Sequence, residues 1–230
     1  MRTRWLLAAG AASLLAASVS AGTLRGTETF YHITNNSGLV SEIESQLVME
    51  IWDVTGVTDQ VDFKFYWSSL DTTASLTDVY WDDGSLLGIA AINPDGAVAG
   101  VSFDDPASPG DLPGPAKWNF NTTSNFSVDS DTPGLMENGV NQLSEYLVVR
   151  FDLIAGQDVD DVLTALALAE TDPDADLVGG LRVGAHVQSI DGGTSDTFIT
   201  VRTIPLPSGA ALAGLGLFVV PAIRRRPIAG

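Results

Sequence analysis

Residues 61–68 alternate without a break. Val61, Phe63, Phe65 and Trp67 fall on one phase, and Asp62, Lys64, Tyr66 and Ser68 on the other. A strand turns successive side chains to opposite faces, so this spacing demands a β-strand with one face in a core and one toward water; a helix would smear the four large apolar groups around its circumference. The same tendency, with β-branched or aromatic enrichment, recurs over 47–54, 76–81, 97–103, 143–154, 181–190 and 196–202, and 27–33 reads as an opening strand. Turn clusters punctuate them: Asp82-Asp83-Gly84, Asn93-Pro94-Asp95-Gly96, Ser108-Pro109-Gly110, Thr132-Pro133-Gly134 and Asp191-Gly192-Gly193. The sum is an all-β unit of about eight strands, a single antiparallel β-sandwich of jelly-roll or immunoglobulin-like topology.

One segment breaks the alternation. Val159, Val162, Leu163, Leu166 and Leu168 recur near helical spacing, with Asp158 placed to cap and Asp160 and Asp161 in the first turn, where negative charge suits the helix dipole. This predicts one short helix at an edge or end of the sandwich. Cysteine is absent, so the fold has no disulfides to draw on. None is needed: a chain of the length of 22–203 buries roughly 70% of its unfolded surface and supports one core. No Pro- or Ser-rich linker and no repeat divides that region.

Both ends carry different signals. Arg2 and Arg4 precede an apolar run over 5–17, and Val19-Ser20-Ala21 is a small-residue cleavage site, the three parts of a secretory signal peptide over 1–21 with cleavage between Ala21 and Gly22. The apolar run is too short for a membrane anchor. At the other end, 208–223 holds no ionisable side chain and is followed by Arg224, Arg225 and Arg226. This is shorter than the roughly 20 residues a spanning helix needs, and counting back to Thr203 gives length for a thin or transient transmembrane helix. The arginines favour the cytoplasmic side and act as a stop.

The tail resembles the PEP-CTERM sorting signal of bacterial exported proteins. The likeness rests on Ile204-Pro205-Leu206-Pro207, the Gly- and Ala-rich segment 208–220, and Arg224 to Arg226. Leu206 stands where the family usually has Glu between the prolines. The resemblance implies a sorting signal over 204–230, recognised by an exosortase-type membrane protease that cuts near Pro205 to Pro207 and transfers or releases the ectodomain. The stretches 181–190 and 192–196 look like the closing strand pair of many PEP-CTERM ectodomains, and 79–84 and 110–115 look similar to their earlier parts. Together the two ends imply passage through the export machinery, transient membrane retention by the C-terminus, then the cell surface or extracellular matrix.

Between the two signals the charge is lopsided. All 29 acidic residues but only 6 of the 11 basic ones lie in 22–203, a net charge of about −23. Such a surface repels phosphates and anionic lipid, so nucleic acid is not an expected partner. Asp outnumbers Glu three to one, which fits a β-rich domain with many turns.

Catalytic constellations are sparse. His32 and His186 are the only histidines, each inside an expected strand, and no Gly-x-Ser-x-Gly elbow surrounds any serine. Zinc-type clusters are missing. Glu137, Glu145 and Asp152 are available as a glycosidase pair, which keeps a secreted carbohydrate-active enzyme open as the alternative function. A structural calcium ion is the one cofactor the composition suggests. Asp172, Asp174 and Asp176 have the alternate-carboxylate spacing of a calcium loop, although Pro173 and Leu177 depart from an EF-hand; Asp129 with Asp131, and Asp82 with Asp83, are further candidates, each equally read as turn chemistry.

Aromatics offer the remaining chemistry. Trp52, Trp67, Trp81 and Trp118, with Tyr66 and Tyr80, form either a sandwich core or a sugar-stacking platform, and core packing is the commoner use. Tyr66 and Tyr80 sit on the polar phase of their strands and are the expected sugar contacts. The function expected is that of a non-catalytic exported surface or matrix protein, processed at its tail and associating with extracellular polysaccharide.

Overall fold

The computed structural model describes residues 22–82, 86–114, 119–130, 136–169 and 179–200. The leader through Ala21, the tail with Pro205, Leu206, Pro207 and Arg224 to Arg226, and the trio Asp172, Asp174 and Asp176 lie outside the described residues.

The described chain is predominantly β. Its elements are β1 (Leu24–His32), α1 (Val40–Gln46), β2 (Leu47–Val54), β3 (Val57–Trp67), β4 (Ser75–Asp82), β5 (Leu86–Ile92), β6 (Ser127–Asp129), β7 (Tyr146–Leu153), α2 (Val159–Ala169), β8 (Arg182–Ile190) and β9 (Thr194–Thr200). All pairings are antiparallel, and the nine strands form one sheet in the order β5-β7-β3-β2-β1-β9-β8-β4-β6.

The sheet curls at β1. Residues Leu24 to Thr29 pair with β2, while Phe30, Tyr31 and His32 pair with β9, so one strand serves both halves. The curl brings the halves face to face around aromatic side chains. Trp81 of β4 lies 6.0 Å from Phe63 and 6.0 Å from Phe65 of β3, and 4.9 Å from Phe151 of β7, ring centre to ring centre. The alternating run read from sequence supplies this core: Val61, Phe63, Phe65 and Trp67 are all buried. Trp67 and Trp81 are therefore core residues, and the Trp67 indole donates to the Val140 carbonyl at 2.7 Å.

Three expectations need correction. The stretch 97–103 is not a strand, because Gly96 and Gly100 take left-handed φ of 123° and 85°, which a strand does not accommodate; Val101 and Phe103 still reach the core from irregular backbone. Two strands, β5 and β6, stand where none was expected, giving nine rather than about eight. A second helix, α1, joins the expected α2, with Val40 and Ile43 one turn apart and buried.

The two outer faces of the sheet differ. Over β4 and β8 residues 103–114 and 119–130 lie as a cover: Trp81 N donates to the Phe126 carbonyl at 2.9 Å, Thr123 N to the Trp81 carbonyl at 2.8 Å, and Asp104 and Asp129 exchange backbone bonds. Gly184 of β8 has no side chain because Leu112 and Phe120 of that cover occupy the space. Over β2, β3 and β7 the outer side chains, Asp62 apart, remain partly open to solvent.

Candidate functional site

The period-2 rule that buries Phe63 and Phe65 sends Asp62, Lys64 and Tyr66 to the opposite face of β3. Register then sets their neighbours. Glu50 and Trp52 of β2 stand opposite Lys64 and Asp62, while Tyr146 and Arg150 of β7 stand opposite Tyr66 and Asp62. Three aromatic side chains from three adjacent strands thus surround one lysine. The Lys64 Nζ lies 5.0 Å from the ring centre of Tyr146, 5.5 Å from that of Tyr66 and 6.0 Å from that of Trp52. All three distances fall within the range in which a cation is attracted to an aromatic face.

Carboxylates fix the cluster. One Glu50 oxygen accepts the Trp52 indole N–H at 2.9 Å and the other accepts the Tyr66 hydroxyl at 2.9 Å, so a single side chain orients two rings. Burial raises the Tyr66 phenol above its ordinary value, and the hydrogen bond and charge of Glu50 push the same way. Beside it Arg150 donates from Nε and Nη2 to the two oxygens of Asp62 at 2.7 and 2.6 Å. This fork holds the guanidinium more firmly protonated against the opposing effect of burial, and Asp95 adds to it. A cleft of about 220 Å³ opens here, lined by Gly22, Trp52, Asp62, Lys64, Asp95 and Tyr146 among others. The arrangement can stack an apolar ring face and offer carboxylate and guanidinium groups to hydroxyls.

Tyr66 takes the position expected of it. Tyr80 does not: it is fully buried, and the expectation that it faces solvent is corrected. Its hydroxyl meets the Pro109 carbonyl at 3.2 Å and Asp78 at 3.4 Å beneath that cover. Burial there, with Asp78 next, raises its phenol far above the ordinary value. Tyr146 and Lys64 were not singled out by the sequence as site residues. The signal available for both was membership of the polar phase of a strand.

The remaining candidates are dispersed. His186 Nδ1 lies 2.9 Å from Asp78, which also accepts from Thr77 at 2.7 Å. His32 Nδ1 meets Glu44 of α1 at 2.6 Å and ties that helix to β1. Glu145 is buried and accepts from the amides of Asn141 and Gln142 at 2.8 and 3.0 Å, closing the turn before β7. Asp152 accepts from Gln60 at 2.8 Å. Glu137 lines a separate cavity of about 310 Å³ beside Ser75 and Asn141, with no second carboxylate among the described residues of its lining.

Among the described residues no group of three or more histidines and carboxylates is placed to hold a metal ion. Asp129, expected in a turn, is the last residue of β6 and accepts the Ser108 amide at 2.8 Å. No helix among the described residues is long and apolar enough to cross a membrane. Compared with family models, with curated proteins and with solved structures, the chain matches none.

Proposed function

We propose that the chain is a non-catalytic exported surface or matrix protein whose ectodomain, a two-layered β-sandwich, associates with extracellular polysaccharide through the outer face of β2, β3 and β7. The observation that carries this reading is the gathering of Trp52, Tyr66 and Tyr146 around Lys64 on an open sheet face beside a cleft. Pyranose rings present apolar C–H faces that pack on aromatic side chains, and a rigid sheet holds such side chains at little entropic cost. The ligand class is an uncharged glycan. Lys64 and Arg150 already face Glu50 and Asp62, and a domain of about −23 repels a polyanion.

Export is supported by the leader over 1–21, and tail processing by the likeness of 204–230 to a PEP-CTERM signal. On this reading an exosortase-type protease releases the ectodomain from its transient anchor.

Retention on a panel of neutral and uronic-acid polysaccharides tests the ligand class. Retention by neutral chains, unchanged in moderate salt and without turnover of the glycan, is the expected result. Binding confined to uronic-acid chains, or release of reducing ends, would contradict it. Intact mass of protein from its own host tests the tail: a mass that retains 208–230 would end the processing proposal.

A further inference from the structure

Gly22, the residue that cleavage after Ala21 would place first in the chain, is built into the wall of the outer-face cleft, together with Trp52, Asp53, Asp62, Lys64, Asp95 and Tyr146. Two bonds hold it there. The Thr23 amide donates to the Asp53 carboxylate, and the Asp53 amide donates to the Thr23 carbonyl at 3.0 Å. A Cβ on residue 22 would overlap the Asp53 carbonyl oxygen and would stand 3.1 Å from its carboxylate. Only glycine permits this approach, and standard bond lengths then put the nitrogen of residue 22 within about 6 Å of that carboxylate.

Asp53 has Arg25 at 3.9 Å, but Arg25 is held more closely by Asp160 of α2, at 2.5 Å; Asp62 is engaged by Arg150, Lys64 is 4.0 Å from Glu50, and Asp95 completes the rim. Five carboxylates therefore share three cations. While residue 22 is joined to Ala21, its nitrogen is an uncharged amide. Hydrolysis of that bond adds one water: the Ala21 acyl group leaves as a carboxylate and the Gly22 nitrogen becomes an ammonium.

We infer that leader removal places this new ammonium against Asp53 as a fourth cation of the cleft, so that export processing itself completes the outer-face site. The inference rests on the proposed cleavage between Ala21 and Gly22. An ammonium within reach of a carboxylate is stabilised in its charged form, so it yields its proton and reacts as a nucleophile less readily.

The test uses the full chain exported through its own leader. Intact mass and N-terminal sequence identify the first residue, and the α-amine is then acylated at neutral pH in the unaltered protein and in Asp53→Asn. The expected result is Gly22 first, with acylation at least about fivefold slower in the unaltered protein than in the variant. A different first residue overturns both the cleavage reading and this inference. Gly22 first with equal acylation rates overturns this inference alone. Should Asp53→Asn fail to fold, the NMR titration of the α-amine in the unaltered protein decides: titration above the ordinary α-amino range of about 7.7–8.0 supports the ammonium–Asp53 pair, and titration within it overturns the pair.

Discussion

Arg150 grips both oxygens of Asp62 across the β3–β7 pair, at 2.7 and 2.6 Å, on the face that carries the aromatic cluster. Both side chains are mostly buried, so neither is left in free solvent if the other is lost. Asp62→Asn is therefore expected to lower stability by about 1–3 kcal/mol, because it strips the charge from a two-bond fork and leaves the guanidinium uncompensated. Urea unfolding checks this. Arg150→Met combined with Asp62→Asn should cost less than the sum of the two single changes, since the second removes a partner already lost.

The two core tryptophans make a second contrast. The Trp67 indole donates to Val140, whereas the Trp81 indole N–H is buried and finds no acceptor among the described residues. Trp67→Phe loses volume and a hydrogen bond, while Trp81→Phe loses volume only. Thermal or urea unfolding should show Trp67→Phe to be the more damaging by about 1 kcal/mol.

Acid should loosen the connection between β1 and α1, which Asp196 holds to β9. Burial pushes the Asp196 carboxyl up, but bonds from the Asn36 amide, from Ser37 and from Thr34 outweigh it and hold the group below its usual range. A carboxyl depressed in the folded state adds stability above its unfolded value and gives it up as pH falls through the folded one. Melting temperature should therefore drop more steeply below about pH 4 in the unaltered protein than in Asp196→Asn, which starts lower and is flatter.

Alkali acts through Tyr80 with the opposite sign. Its phenol is raised by burial and by Asp78, so the folded chain keeps a proton that the unfolded chain loses. Stability is full below the ordinary tyrosine range near 10 and declines as pH rises above it. Tyr80→Phe should remove that part of the decline, measured as melting temperature between about pH 9 and 11.

Much of this was legible where side-chain phase alone decides structure. The span 47–54 is β2 as read, and 61–67 is the core of β3, because alternation against a buried face leaves no second register. The expected strand 143–154 begins only at Tyr146, because the Glu145 carboxylate closes a turn ahead of it. The apolar run Leu86–Ile92 lacks alternation and pairs as β5 through two register shifts, so its pattern carried no strand signal. Tyr66 and Tyr80 looked alike in sequence, both on a polar phase. What separates them is the cover formed by 103–114 and 119–130, a tertiary contact with no local signature. Tyr146 joined the site through pairing with Tyr66, which only strand order reveals.

On the proposed function, an uncharged glycan docks on Trp52, Tyr66 and Tyr146. The most direct measurement is calorimetric titration of a neutral polysaccharide retained on the panel into the unaltered protein and into Trp52→Ala and Tyr146→Ala, with unfolding curves confirming that each variant is folded. Each substitution is expected to weaken binding about tenfold, or about 1.4 kcal/mol, with little dependence on salt. Affinity unchanged in both folded variants would overturn glycan docking on this face.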